Sequence, residues 1–131
     1  MRRSQMNMEN LHIKASSSTP MAVFETNGNL TLKGRSLILD VGSFYQPLAE
    51  WISQLTAPKV TFTFELEYFN SASSKKLLEI LRLIETNKHV REFDVTWKYE
   101  TDDEDILEKG QIFEEKLRKA RFVYVEYAEA M

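Results

Sequence analysis

From Val60 to Tyr68 the chain alternates without a break: Val60, Phe62, Phe64, Leu66 and Tyr68 fall on one side, Thr61, Thr63, Glu65 and Glu67 on the other. A period of two belongs to a β-strand, whose successive side chains point to opposite faces. One apolar side and one polar side imply a sheet covered on a single face, because a strand buried on both faces reads as continuously apolar. Whatever packs on this strand must therefore come from one side.

Immediately afterwards the period changes. Leu77, Leu78, Ile80, Leu81 and Ile84 form a broad helical stripe, with Lys75, Glu79 and Arg82 opposite. Between strand and helix lies Phe69-Asn70-Ser71-Ala72-Ser73-Ser74-Lys75. Asn and Ser are preferred helix caps in any protein. The same place, where unpaired N–H groups and the positive end of the helix dipole meet, also tolerates an anion, including a phosphate ester on Ser71. The residues favour the plain cap and leave the switch open. Phe69 breaks the alternation next to Asn70, so it is expected at the surface beside the serines.

Other elements read more briefly. Residues 21–25 and 30–33 flank Asn27-Gly28-Asn29, a strong hairpin signal. Gly34-Arg35-Ser36 reads as a turn into a short run at 37–41. Phe44, Leu48, Trp51, Ile52 and Leu55 mark a helix capped at Ser43, with Pro47 in its first turn and Pro58 as its stop. Phe93, Val95, Trp97 and Tyr99 form another alternating strand. Ile106, Gly110, Phe113 and Leu117 lie along a further helix opened by Asp102-Asp103-Glu104-Asp105, and residues 122–127 are the last strand. Strand–helix–strand spacing favours parallel neighbours. The expected architecture is α/β: a mixed sheet of about five strands with helices mainly on one face. Residues 1–10 read as a disordered leader and 11–131 as a single regulatory domain.

Chemistry is narrowly bounded. With no cysteine among 131 residues, thiol catalysis, disulfides and zinc–thiolate sites are excluded, and the composition is compatible with the cytoplasm. A net charge of -3 leaves no electrostatic footprint for nucleic acid. No apolar run is long enough for a membrane helix. His12 and His89 lack a neighbouring nucleophile and read as surface residues. The glycines match neither dinucleotide nor P-loop spacing, and no cofactor is expected. The acidic run lacks the alternation and mid-loop glycine of a calcium loop; carboxylates are favoured in a first helical turn, and a docking edge is the second reading. Trp51, Tyr68 and Trp97 are expected in the core. A small enzyme using Glu65, Glu67 or Tyr68 as base beside Ser71, or a homodimer through a sheet edge, are the rival functional readings.

Several segments also resemble the SiaC family of bacterial, biofilm-regulatory phosphoproteins. They are Gly34-Arg35-Ser36; Phe44-Tyr45 with Pro47 and Trp51; residues 66–75; and Trp97 with Tyr99 through the acidic run 102–105 and Gly110. The run Leu66-Glu67-Tyr68-Phe69-Asn70 before hydroxyls, paired with the later acidic run, carries most of the likeness. The resemblance implies a STAS-like fold, as in anti-sigma-factor antagonists, without catalytic activity. It implies partner switching: a cognate Ser/Thr kinase phosphorylates the residue after the Asn, here Ser71, and a PP2C-type phosphatase reverses it. The unmodified form then binds and activates a diguanylate cyclase, raising cyclic di-GMP. Tyr68, Phe69, Asn70, Ser73, Ser74 and Lys75 are the expected partner-binding residues, with Ser73 and Ser74 mainly capping and Lys75 steadying the phosphate. Ser71 stands where the family usually has Thr, Ala72 replaces a typical hydroxyl, and residues 37–40 lack the usual Pro-containing sequence.

Overall fold

The alternating run becomes β4 (Lys59–Phe69), the long central strand of a six-stranded sheet. The structure, a computed structural model, describes residues 8–128. Strands β1 (Leu11–Ile13), β2 (Met21–Phe24) and β3 (Asn29–Ser36) lie to one side of β4, and β5 (Glu92–Glu100) and β6 (Arg121–Tyr127) to the other, in chain order across the sheet. The first three strands pair antiparallel; β3 through β6 are parallel. Each parallel step is made by a helix: α1 (Val41–Ser53), α2 (Ser71–Thr86) and α3 (Glu104–Glu115). The sixth strand beyond the expected five is β1, three residues long at the sheet edge.

All three crossovers advance in the same direction, so the right-handed rule lays their helices on one face. Burial agrees. On β4, Val60, Phe62, Phe64 and Leu66 are at most 2% exposed, whereas Thr61, Thr63 and Glu65 are only partly covered. The open face is polar and ion-paired: Glu65 lies 3.7 Å from both Lys33 and Lys98. Exposed pairs of this kind contribute about 0–1 kcal/mol each, so they keep the face wet more than they hold the sheet together.

The hairpin forms as read. Gly28 has φ 103°, and a Cβ there would lie 2.0 Å from the Lys59 carbonyl oxygen, so the turn packs directly on the start of β4. Two local readings are corrected. Gly34-Arg35-Ser36 is not a turn but the end of β3, with a register shift between Gly34 and Arg35. Residues 37–40 leave the sheet after it. Finally, α1 begins two residues before Ser43 and is capped by Asp40, which places Pro47 inside the helix. Asp40 accepts from the Ser43 Oγ (2.6 Å) and N–H (3.3 Å), and these bonds hold its carboxyl below the ordinary range.

The core runs between the sheet and its helices and is rich in aromatic rings. Trp97 is 1% exposed, donates its indole N–H to the Ile106 carbonyl at 2.9 Å and contacts Phe64, Phe69 and Phe113. Gly110 lets α3 approach this ring: a Cβ there would sit 2.7 Å from the indole. Trp51, expected in the core, is half-buried against Phe24, and its indole N–H bonds the Glu9 carbonyl at 2.8 Å. Asn10 Oδ1 accepts from Thr26 N–H at 2.8 Å. Residues 1–7 of the expected leader lie outside the described residues.

Candidate functional site

The site is built by an irregularity in β4. Gly34 pairs with Leu66 but Arg35 pairs with Tyr68, so Glu67 is an extra residue in the strand. A bulge of this kind resets which side chains face in. After it, Tyr68 is 46% exposed and Phe69 is fully buried, the reverse of the sequence expectation for both. Unbroken alternation would have put Tyr68 inside. One inserted residue exchanged the two rings, and Phe69 now packs on Trp97 and Phe113.

Anchoring Phe69 fixes the start of α2. Asn70, with extended backbone (φ -83°, ψ 175°), is the N-cap, and its Oδ1 accepts from Ser73 N–H at 2.9 Å. Its Nδ2 donates to the Ile38 carbonyl at 3.3 Å, and its backbone N–H to Ser36 O at 3.1 Å. The cap thus also ties the 37–40 segment beside the helix start. The two serines expected to cap do not share this role. Ser73 is fully buried, and Ser74, half-buried, gives its N–H to Asn70 O at 2.9 Å.

The Ser73 hydroxyl belongs to the interior. Ser36 Oγ donates to Ser73 Oγ at 2.7 Å, and Ser73 Oγ donates to the Ser36 carbonyl at 3.1 Å. The single Ser36 hydroxyl proton is spent on Ser73, so Tyr45 OH must donate to Ser36 Oγ across 2.6 Å. The result is a directed, satisfied chain joining α1, β3 and α2 beneath the site. Burial pushes the Tyr45 phenol pKa up. Ser73 therefore cannot meet a partner or a kinase in this fold, whereas Ser71 and Ala72 are exposed.

Around Ser71 lies an open depression of about 200 Å³ lined by Tyr68, Phe69, Asn70, Ser71, Ser74 and Lys109. Lys109, from α3, was not singled out by sequence reading. Its Nζ donates to the Phe69 carbonyl at 3.2 Å, pairs with Asp105 at 3.4 Å, and stands 4.9 Å and 4.7 Å from the ring centroids of Tyr68 and Phe69. Helical spacing alone places Lys109 four residues after Asp105; only the fold brings it to the end of β4. Lys75 is exposed on the outer surface of α2. Beside the site, Leu39 is 97% and Leu37 36% exposed, a pair of apolar side chains from the segment that leaves β3.

The acidic run divides its work. Asp103 caps α3 by accepting from Ile106 N–H at 3.1 Å, Glu104 and Asp105 occupy the first turn, and Asp105 faces Lys109. Among the described residues, no group of three or more His, Cys, Asp or Glu is placed to hold a metal. Of the candidate bases of the enzymatic reading, Glu65 and Glu67 are engaged by Lys33, Lys98 and Arg35, and Tyr68 lines the depression with Ser71.

A model of the SiaC family of regulatory phosphoproteins matches residues 13–127. This chain belongs to the SiaC family. Solved structures agree at the level of the fold. Apo-SiaC from Pseudomonas aeruginosa is 23% identical and superposes with a TM-score of 0.72 over 92% of this chain and 100% of its own. A chain from the crystal structure of diguanylate cyclase SiaD in complex with its activator SiaC, from the same organism, is 24% identical, with a TM-score of 0.81 over 89% of this chain and 99% of its own. No curated protein matches the chain. Like other SiaC family members it is a regulatory phosphoprotein, and no helix among the described residues is long and apolar enough to cross a membrane.

Proposed function

We propose that this protein is a non-enzymatic partner switch of the bacterial cytoplasm, controlled by phosphorylation of Ser71. Its exposure carries the reading: of the two hydroxyls nearest Asn70, Ser71 is open to a kinase and Ser73 is sealed in the core. A cognate Ser/Thr kinase writes the mark and a PP2C-type phosphatase removes it. The unmodified form binds and activates a diguanylate cyclase, and so raises cyclic di-GMP and favours biofilm formation. Family likeness supports this step, since SiaC of Pseudomonas aeruginosa is the activator of the cyclase SiaD and forms a complex with it.

Physics supports the direction of the switch. Phosphate adds about −1.5 to −2 charge at the first position of α2, where free N–H groups and the helix dipole accommodate it. A docked partner covering Tyr68, Ser71, Lys75 and the exposed Leu37 and Leu39 would instead have to strip water from that dianion, which is costly. The mark therefore releases the partner and spares the scaffold. The ion pairs that engage Glu65 and Glu67 favour the switch over the enzymatic alternative.

The test is a cyclase activation and pull-down assay with wild type, Ser71→Ala and Ser71→Asp. Ser71→Ala should bind and activate and should take up no phosphate from the kinase. Ser71→Asp should bind at least about tenfold more weakly, the loss expected when a charge is buried without a partner. Equal binding by Ser71→Asp and wild type would overturn the assignment.

A further inference from the structure

We infer that Lys109 is the cation that receives the phosphate on Ser71, exchanging Asp105 and the Phe69 carbonyl for it. The inference rests on the reading of Ser71 above and goes further, assigning a residue on another element to the modified state. Lys109 lines the depression that holds Ser71, and its ammonium is anchored at the carbonyl of Phe69, two residues before Ser71. Its present partners are modest: Asp105 is largely exposed, with 69% side-chain exposure, and the Phe69 carbonyl is neutral. A dianionic phosphate with three acceptor oxygens outcompetes both. The ammonium stands over the rings of Tyr68 and Phe69 at the end of β4, and the flexible lysine stem lets it swing from there toward Ser71.

Of the charged and titratable groups around Ser71, Lys109 on α3 and Tyr68 on β4 line its depression, Asp105 pairs with Lys109, and Lys75 lies four residues on along its own helix. Lys75 is exposed and screened by solvent; Lys109, with 27% side-chain exposure, is the better covered cation and interacts more strongly. In the unmodified protein Asp105 offsets Lys109 and keeps the patch near neutral. Phosphorylation draws Lys109 across, fixes the phosphate against the scaffold and leaves Asp105 exposed without its cation. The mark then presents negative charge from two elements instead of one.

The experiment places phosphoserine at position 71 of the full chain during synthesis, so that no kinase is needed, and follows its phosphorus NMR shift against pH. A nearby cation favours the dianion and lowers the second pKa below the value of about 6 for free phosphoserine. Lys109→Met and Lys109→Gln should each raise that pKa by about half a unit or more, and Lys109→Arg should largely keep the wild-type value. Asp105→Asn, which removes the competitor, should lower it further. Lys75→Met should move it by less than half as much as Lys109→Met. A pKa indifferent to both neutral Lys109 variants, or moved as much by Lys75→Met, overturns the inference while leaving Ser71 as the switch. Failure of the native kinase to modify Ser71, read separately by mass spectrometry, overturns the reading beneath it.

Discussion

Two serines two positions apart carry opposite obligations. Ser73 closes a hydroxyl chain that begins at Tyr45, and every link is buried. Ser73→Ala leaves the Ser36 proton without an acceptor, and an unsatisfied buried donor costs about 1–3 kcal/mol. Ser71→Ala removes an exposed hydroxyl and should stay within about 0.5 kcal/mol of wild type. Urea denaturation of both variants checks this: a lowered midpoint with unchanged slope for Ser73→Ala, and superposition with wild type for Ser71→Ala. Comparable midpoints would mean that the buried chain contributes nothing. Sequence alone could list these serines but could not separate them, because the decision depends on Ser36 and Tyr45, distant in the chain. Lys109 escaped for the same reason: its spacing declares a partner at Asp105, and nothing local declares the Phe69 carbonyl.

At the scale of elements, the periodic segments were legible and their edges were not. The alternation of β4, the stripe of α2 and the Asn27-Gly28 hairpin all stand where their patterns placed them. The inward and outward assignment failed at Tyr68 and Phe69 because a bulge is a property of the pair β3–β4 and leaves no mark in either strand's own period. The start of α1 was missed because Asp40 and Ser43 are both good caps, and the structure uses the first with the second as its donor. The start of α2 depends on Asn70 more than on any serine. Asn70→Ala removes the bond to Ser73 N–H and the bond to the Ile38 carbonyl. Loss of the cap should cost about 0.5–2 kcal/mol. Amide exchange at residues 37–40 and 71–74 should also rise, since both segments lean on that side chain. Faster exchange confined to α2 would show that Ile38 is held by something else.

At the scale of the whole molecule, one face of the sheet carries the helices and the other carries charge, so acid–base chemistry is distributed over the entire fold. Three tyrosines report on it. Tyr45, on α1, has its phenol raised by burial. Tyr124 on β6 is raised by desolvation, then by the 2.6 Å hydrogen bond it donates to Glu114 and by that carboxylate's charge. Tyr127 is pushed up to about 12, by desolvation first and then by Glu65, Glu100, Glu67 and Asp103. All three folded-state values exceed the ordinary value of 10.0, so above that pH the folded protein holds more protons than the unfolded chain. Stability therefore falls as pH rises wherever the folded state binds more protons, and the tyrosine contribution is complete below about pH 10 and lost progressively as pH rises from that limit through the folded-state values. Thermal melts should show a steady tyrosine contribution up to the lower limit and a decline beyond it. Lysine deprotonation also weakens surface ion pairs in this range, so the tyrosines must be isolated. Tyr124→Phe removes one titrating phenol while keeping its ring against Phe122, and should make the alkaline decline shallower than in wild type. Spectrophotometric titration should find tyrosinate appearing later in the folded protein than in urea. An equally steep decline in Tyr124→Phe, with coincident titration curves, would mean that these phenols are not held protonated by the fold.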